Sequence, residues 1–169
     1  ASFTLNGFYM DYVSQLILNG KINDVGEYIR ESVNESYRTG VEIEVNYNFT
    51  AHAKLKTNLS LSKNKIKKYD EYVDNYDDGT QILNTYNNTP IAFSPDISGS
   101  AILEIIPIKN FSIDLAGKYT GIQYLDNTGN ENRKLDAYFI SDLRLSYAIH
   151  PGKMKEISFH LSLFNIFNT

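Results

Sequence analysis

The chain has 169 residues, of which 42% are hydrophobic and 21% charged, and its formal net charge at pH 7 is −4. Its mean hydropathy of −0.34, without an apolar run approaching about 18 residues, excludes a transmembrane helix, whereas a transmembrane β-strand stays possible because lumen-facing polar residues dilute its hydropathy. Basic residues are interspersed with acidic ones, so nucleic acid is not an expected partner, and the lack of cysteine removes disulfides and thiolate metal sites.

The first strand is predicted over residues 2–13, where Phe3, Leu5 and Tyr9 share one parity and small polar residues the other. A polar stretch follows. Its Asn19-Gly20 pair is typical of a tight hairpin, but the extent of the non-alternating residues favours a long loop over about 19–36.

Residues 37–49 have the clearest alternation in the chain. Their odd positions are aromatic, β-branched or Thr, and their even positions are charged, Asn or Gly. From Tyr37 to Tyr47 a strand rises about 33 Å at about 3.3 Å per residue. Tilted by about 40°, it covers about 25 Å, the height of the apolar band on an outer-membrane barrel. Strands of soluble proteins are usually about five or six residues long.

Five further alternating segments follow, which gives seven long strands in all. The segments are 53–62, about 95–106, 111–125, 139–149 and 157–167. The connections alternate in length: long at 19–36, short at 50–52, long at 64–90, short at 107–110, long at 126–135 and short at 150–155. Outer-membrane barrels place their long connections at one end in this way, whereas a soluble sandwich has no reason to do so.

The alternation predicts which side chains meet lipid. We expect odd positions of 37–49, 53–61, 97–105, 111–119, 139–149 and 157–163 to face lipid and even positions to face a lumen. Paired residues must point the same way, so their numbers must have an even sum. The hairpin at 50–52 is therefore predicted to have a three-residue loop, closed by Phe49 opposite Ala53, with Asn46 opposite Lys56.

Four segments together resemble the C-terminal barrel of TonB-dependent outer-membrane receptors. The overall pattern is similar to that of receptors from Bacteroidetes-like bacteria. They are Phe8-Tyr9-Met10-Asp11-Tyr12, Ile22-Asn23-Asp24-Val25-Gly26, Ser36-Tyr37-Arg38-Thr39-Gly40-Val41-Glu42-Ile43-Glu44 and Phe164-Asn165-Ile166-Phe167-Asn168. The resemblance covers nearly the whole chain. It implies a 22-stranded barrel filled by an N-terminal plug, located in the bacterial outer membrane and importing a scarce nutrient such as an iron–siderophore complex, haem, cobalamin or a glycan.

The resemblance also predicts the domain organisation. Residues 1–169 are expected to form a single partial domain, the C-terminal section of the barrel, without the plug, the TonB-contacting part or the last strand. The edges at 2–13 and 157–167 should then be covered by the remainder of the receptor, because unpaired backbone groups cannot persist in lipid. The expected partners are outer-membrane lipid, the rest of barrel and plug, TonB through the N-terminal part, and a small nutrient ligand.

Candidate functional residues fall into two sets, and no catalytic constellation, cofactor motif or metal-ligand spacing is present, so an enzyme is not expected. Ligand-contact candidates in the predicted loop 64–90 are Tyr69, Tyr72, Tyr76 and Tyr86, since tyrosine offers rigid amphipathic area; an ordinary exposed loop is the alternative. The predicted lumen wall consists of Arg38, Glu42, Glu44, Lys54, Lys56, Lys118, Asp142 and Arg144. Mixed signs there indicate cross-strand ion pairs. The acidic residues of loop 64–90 are interpreted as solvated.

One alternative architecture stays open from the sequence alone. A soluble or surface-attached β-sandwich that binds glycans or protein also has alternating strands. Strand length separates the two, because twelve or more alternating residues favour the membrane and five or six the sandwich.

Overall fold

The structure, a computed structural model, describes residues 1–152 and 154–167, without the side chains of residues 20–22. In this part of the chain no helix is long and apolar enough to cross a membrane. The regular structure consists of β-strands: β1 (Ser2–Ile22), β2 (Tyr28–Thr50), β3 (Ala53–Asp74), β4 (Gln81–Pro90), β5 (Ile97–Ile108), β6 (Phe111–Thr120), β7 (Gln123–Tyr124), β8 (Lys134–Leu135), β9 (Tyr138–Ile149) and β10 (Ile157–Leu163).

Seven strands form one up-and-down sheet in the order β1-β2-β3-β5-β6-β9-β10, and every pairing is antiparallel. β4 pairs with the second half of β3, so the long β3 has β5 and then β4 along the same side. β7 and β8 form a separate two-stranded ribbon. The seven-stranded antiparallel architecture predicted from the alternation is confirmed.

The register keeps odd residues together across the seven strands of the up-and-down order. Phe3 lies opposite Val45, Ile43 opposite Leu59, and Leu59 opposite Gly99. The same even sums hold between β5 and β6, β6 and β9, and β9 and β10. Because residues directly opposite each other point to the same side, odd positions share one face, as predicted.

The first short hairpin differs from the prediction. Asn46 does lie opposite Lys56, but the closing pair is Thr50 with Ala53, and Phe49 is an extra residue in β2. In a two-residue turn the residue numbers of the closing pair add up to an odd value, whereas the paired residues of this ladder have numbers that add up to even values. A one-residue bulge reconciles the two. The predicted pairing of Phe49 with Ala53 in a three-residue loop was wrong because it allowed no bulge.

Two of the predicted long loops are strands. β1 and β2 continue to a five-residue turn at 23–27, and β3 and β4 continue to a six-residue turn at 75–80. The predicted loops 19–36 and 64–90 were wrong because neither face of these extensions is consistently apolar, so the period-2 signal disappears while the backbone ladder continues. The third long connection is largely irregular, as expected, apart from β7 and β8.

A small core lies in the extended part of the sheet. Ile17, Val33, Ile66, Tyr69 and Ile91 are buried together, with Tyr86 packed against them. Ser14 has a φ of 57°, and beyond it odd residues of β1 and β2 pack with the even residue Ile66. Odd and even residue numbers therefore separate the two faces of the sheet only on the side of Ser14 that lies toward the short hairpin turns.

The outer edges of the sheet are open in the described part of the chain. There β1 pairs only with β2, and β10 pairs only with β9. β10 ends at Leu163 rather than near residue 167, because Asn165 has a φ of 49° and leaves the strand conformation. The sheet does not close on itself, as predicted, and the covering of its two edges by the remainder of the receptor stays a prediction.

Candidate functional site

The odd face of the sheet carries no charged residue in the six predicted segments from 37–49 to 157–163. Its large apolar side chains are exposed, for example Phe3 at 66% and Leu161 at 55%. A soluble protein rarely leaves a contiguous apolar face of this extent in water. The odd face is therefore suited to a hydrocarbon environment.

Aromatic pairs mark both margins of this face. Tyr9 stacks on Tyr37 at one margin, with ring centroids 6.3 Å apart. At the other margin Tyr47 packs edge-on against Phe49 at 4.9 Å, and Phe111 packs edge-on against Tyr147 at 6.5 Å. Aromatic girdles at the two water interfaces, about 25 Å apart, are characteristic of membrane β-barrels.

The even face is polar and internally bonded. Lys54 lies opposite Glu104 and forms an ion pair with it at 3.3 Å. Asn6 donates to Glu42 at 3.0 Å, and the Asn46 amide donates to Glu44 at 2.8 Å. The register places all eight predicted lumen-wall residues on this face, since each has an even number in the paired strands. The structure thus brings mixed charges to one surface.

The turn that follows β10, at residues 164–167, is held by hydrogen bonds to β9. The backbone N–H of Asn165 donates to the Asp142 carboxylate at 2.9 Å, and the N–H of Ile166 donates to the Ser141 carbonyl at 2.8 Å. Asp142, predicted only as a wall residue, therefore also holds the turn that follows β10.

A groove of about 560 Å³ surrounds Arg38 on the even face. β1 contributes its aromatic and thioether side chains, β2 and β3 contribute polar ones, and the irregular segment 91–96 between β4 and β5 forms a further wall. The lining residues are Phe8, Met10, Tyr12, Gln15, Arg38, Glu42, Ser60, Ser62, Asn64, Phe93, Ser94, Pro95 and Ser98.

Arg38 itself makes two long contacts in this groove. Its Nη1 donates to Asn64 Oδ1 at 3.5 Å, and its Nη2 donates to Ser94 Oγ at 3.4 Å. Both acceptors are neutral. Sequence reasoning placed Arg38 on the wall but did not identify Ser94, because segment 91–96 belongs to no periodic pattern.

The four tyrosines predicted to contact ligand have different environments. Tyr69 is only 5% exposed, and its ring stacks on Tyr86 at 6.4 Å. Burial, together with a hydrogen bond to Glu31, raises the pKa of Tyr69 well above its ordinary value. Tyr86 donates to Glu71 at 3.1 Å. Tyr72 and Tyr76 are exposed, Tyr76 at 94%. Only these last two present open rings.

The loop after β6 carries buried side-chain contacts that the sequence reasoning missed. Asn127 is fully buried, its Oδ1 accepts from the Ala92 N–H at 2.8 Å, and its Nδ2 donates to the Leu18 carbonyl at 2.7 Å. Arg133 bridges Asp126 at 2.9 Å and Glu71 at 3.5 Å. In the sequence, the composition of segment 126–129 is typical of a turn, and it gave no other indication of these contacts.

The acidic tip of the β3–β4 hairpin is engaged in local bonds. Asp74 accepts from the Gln81 amide at 2.8 Å, and Asp78 accepts from the Thr80 hydroxyl at 2.6 Å. Among the described side chains, no group of three or more His, Asp or Glu is arranged to hold a metal ion.

An antiparallel sheet of long strands defines a section of an outer-membrane-type β-barrel wall when one face is uncharged between aromatic margins, as here over the six alternating segments, and the opposite face is polar. The sequence profile of the family described as "TonB dependent receptor-like, beta-barrel" matches residues 1–168, and the chain belongs to that family. No curated protein has a significant match to the chain.

Solved structures of this type share the fold. The ferric-catecholate import receptor Fiu from E. coli K12 is 19% identical with a TM-score of 0.66, covering 99% of this chain and 21% of Fiu. The siderophore receptor PiuA from Acinetobacter baumannii is 14% identical with a TM-score of 0.70, covering 99% and 22%. A mutant of the ferric enterobactin receptor PfeA from Pseudomonas aeruginosa is 18% identical with a TM-score of 0.58, covering 98% and 23%. The chain spans about a fifth of the length of these receptors.

Proposed function

We propose that the chain forms part of the barrel wall of a TonB-dependent receptor in the bacterial outer membrane, which takes up a scarce nutrient. The candidate nutrients are iron–siderophore complexes, haem, cobalamin and glycans. The observation that carries the proposal is the shared register parity of six strand pairings, which collects the apolar odd residues of the six alternating segments from 37–49 to 157–163 on one face of the sheet. Family membership supports the same function.

In this proposal the two faces have different partners. The odd face contacts outer-membrane lipid, and the even face lines the receptor interior. The short turns at residues 51–52 and 109–110 lie in the periplasm, and the β1–β2 and β3–β4 hairpins project outward, following the usual asymmetry of such barrels. Tyr72 and Tyr76 on the outer hairpin are then placed to meet the ligand first.

The remaining contacts of this receptor are also proposals. The open edges of β1 and β10 pair with the rest of the barrel, a plug fills the interior, and TonB acts through the N-terminal part of the receptor. The location of these strands in the C-terminal section of the barrel stays a prediction. The receptor binds and passes its ligand without chemical conversion, so it is not an enzyme.

The sandwich alternative requires a second layer over one face of the sheet. In the described residues the seven strands form a single layer, and β2 is 23 residues long. A sandwich strand is far shorter, and its apolar face is buried. The long single sheet favours the barrel wall.

The proposal is tested by a pair of neighbouring substitutions in the full-length receptor. Ile43 lies on the odd face and Glu44 on the even face of β2. A lysine near the middle of the lipid face costs about 2–4 kcal/mol, whereas a lumen position tolerates charge. We expect Ile43→Lys to lower the folded, heat-modifiable receptor in the outer-membrane fraction and Glu44→Lys to leave it unchanged. Equal losses for both variants would contradict the membrane assignment.

A further inference from the structure

We propose that a cleft on the odd face of the sheet, called here the lipid-face cleft, holds one acyl chain of an outer-leaflet lipid. In this proposal the Ser141 hydroxyl donates a hydrogen bond to a carbonyl oxygen at the polar end of that chain. The inference rests on the proposed function, which places the odd face in the membrane. It goes beyond that function, because the lipid is not the nutrient that the receptor takes up.

A row of small residues across four neighbouring strands forms the floor of the lipid-face cleft. Thr57 of β3 lies opposite Ala101 of β5, Ala101 opposite Gly117 of β6, and Gly117 opposite Ser141 of β9. The same-face neighbours of this row are mostly large, so the row lies at the bottom of a depression of about 480 Å³. The large neighbours are Leu55, Leu103 and Leu115 on one side and Leu59, Tyr119 and Phe139 on the other.

The strands that form the lipid-face cleft are all inner strands of the sheet. β3, β5, β6 and β9 each have a paired strand on both sides within the described chain. The walls of the cleft are therefore complete without the rest of the barrel. In the proposed function the cleft opens to the outside of the barrel, where the hydrocarbon of the membrane surrounds it.

The width of the cleft suits a single hydrocarbon chain. The large residues on its two sides are four positions apart along a strand, about 13 Å at about 3.3 Å per residue, and their side chains occupy part of that width. A helix with its side chains is about 10–12 Å across and does not fit into the space that remains. All the described residues that line the cleft are uncharged, so an acyl chain is the occupant that matches its width and its polarity.

The Ser141 hydroxyl is a polar group without a partner at one end of the cleft. Ser141 is only 3% exposed, and its Oγ is buried without a hydrogen-bond partner in the described part of the chain. At the other end of the row, the Thr57 hydroxyl donates to the Ser100 carbonyl at 2.9 Å. An unpaired polar group is costly in hydrocarbon, where no water replaces the missing partner. A carbonyl oxygen of the lipid would remove this cost at Ser141.

The depth of Ser141 in the membrane matches the polar end of an acyl chain. Ser141 follows Phe139 by two residues, about 7 Å along the strand at about 3.3 Å per residue. Phe139 lies opposite Tyr119, and this pair is at the end of the odd face nearest loop 121–135. Thr57, in contrast, is the middle residue of the alternating segment 53–61. The cleft therefore leads from the outer interface toward the middle of the membrane, which is the course of an acyl chain from its linkage inward.

Phe167 provides the access to the hydroxyl. It lines the cleft and follows Ile166, whose backbone N–H donates to the Ser141 carbonyl at 2.8 Å. Phe167 is 65% exposed. Because most of this residue faces away from the protein, a change of its rotamer can admit the end of the chain to Ser141 without moving a strand.

The test compares two lipids that differ only in their carbonyl groups. Purified full-length receptor in detergent is titrated with dimyristoyl phosphatidylglycerol or with its diether analogue, and native mass spectrometry counts the lipids bound to folded receptor. Ser141→Ala removes the unpaired hydroxyl, and its control Thr57→Val removes one that already has a partner. Ala101→Leu fills the floor of the cleft, and its control Ala53→Leu lies on the same face outside the cleft.

We expect the wild type to bind the ester lipid about 2- to 12-fold more tightly than the diether lipid, the range of one hydrogen bond. Ser141→Ala should remove this preference and still bind both lipids, whereas Thr57→Val should keep it. Ala101→Leu should lose the bound lipid of both kinds, because its side chain occupies the place of the acyl chain. Ala53→Leu should retain the lipid.

Three outcomes would overturn the inference. These are a wild type without preference for the ester lipid, equal losses of lipid in Ala101→Leu and Ala53→Leu, and a dimer that Ala101→Leu converts to a monomer without a change in bound lipid. The last would mean that a second copy of the receptor covers the cleft. Outer-membrane fractionation of the wild type tests the proposed function separately, since a receptor absent from that membrane refutes the function, whereas a correctly located receptor without the ester preference refutes only this inference.

Discussion

Replacement of Asn127 by alanine tests how the loop after β6 is held. The Asn127 amide bonds to two backbone groups in different parts of the chain, the Ala92 N–H in segment 91–96 and the Leu18 carbonyl in β1. Both bonds are short, at 2.8 and 2.7 Å, and the side chain is fully buried. Asn127→Ala leaves a donor and an acceptor without their partner at the same site.

The expected cost follows from those two groups. A buried polar group left without its hydrogen-bond partner costs about 1–3 kcal/mol, so two such groups give about 2–6 kcal/mol. Water entering from the loop surface would bring the value toward the lower end. The loss should be local, because the two hydrogen bonds of this amide reach segment 91–96 and the end of β1 next to the 23–27 turn. Loop 121–135 and segment 91–94 should open more often, while the ladder from Val41 to Leu59 stays closed.

Hydrogen exchange of the purified full-length receptor measures this effect. We expect a roughly 30-fold or larger rise in exchange at residues 91–94 and 124–128, which corresponds to about 2 kcal/mol or more. Asn130→Ala is the matched control, since its side chain is in the same loop but exposed, and its Oδ1 accepts only from the Asn132 N–H. That control should change exchange by less than about 0.5 kcal/mol.

The variant Asn127→Asp separates the loss of the hydrogen bonds from the loss of side-chain volume. It keeps an acceptor for the Ala92 N–H, but it replaces the donor to Leu18 with a second oxygen, so it should loosen the loop nearly as much as alanine does. Unchanged exchange in both Asn127 variants would refute the reasoning, because it would mean that the two bonds contribute nothing to holding the loop.

Two further predictions concern other positions. Gly40→Ala should lower the yield of folded receptor, because a Cβ there would collide with the Leu61 carbonyl oxygen and lie 2.8 Å from the Phe8 ring; Gly7→Ala, with nothing within 4 Å, should leave the yield unchanged, and equal yields would contradict the steric argument. Burial alone would raise the pKa of Asp126, but hydrogen bonds from Thr128 and Arg133 outweigh it and lower that pKa. A carboxyl with a depressed folded pKa stabilises the loop above its unfolded value of about 3.9 and loses this contribution as pH falls further. Exchange of loop 121–135 should therefore rise below about pH 4 in the wild type. Asp126→Asn should make this rise smaller, with the remainder due to Glu131, whose pKa is also lowered by hydrogen bonds with Lys134 and Tyr124; an unchanged rise would contradict the role of Asp126.

The alternating part of the sheet could be predicted because each strand there has an apolar side and a polar side. Val41, Ile43 and Val45 face one way and Glu42 and Glu44 the other, so a period of two survives in the sequence. Above the aromatic margin, both sides of the hairpins contact water, loops or each other. Tyr69 and Tyr72 then no longer mark a single face, and the strands 65–74 and 81–90 resemble a loop in the sequence.

The residues of the candidate site also fall into a predictable and an unpredictable set. The placement of the eight predicted lumen-wall residues on the even face followed from parity alone. The contacts of Asn127 and Ser94 did not, because they join distant parts of the chain. Asn127 and Leu18 are 109 residues apart, and no local pattern encodes that approach. The bulge at Phe49 escaped prediction for a related reason. Parity requires an adjustment at the turn but does not say whether the loop or the strand supplies it.

Parity also explains why the groove exists where it does. The six-residue turn 75–80 closes the β3–β4 hairpin with an odd sum, from Asp74 opposite Gln81 to Lys65 opposite Pro90. β5 must pair with the same β3 at even sums, from Leu61 opposite Ile97 onward, or its apolar residues would face the interior. Three extra residues are therefore inserted between β4 and β5, and segment 91–96 leaves the ladder to hold them, with Phe93 at a φ of 54°. The side chains released from the sheet in this way, Phe93 and Ser94, are those that complete the wall around Arg38.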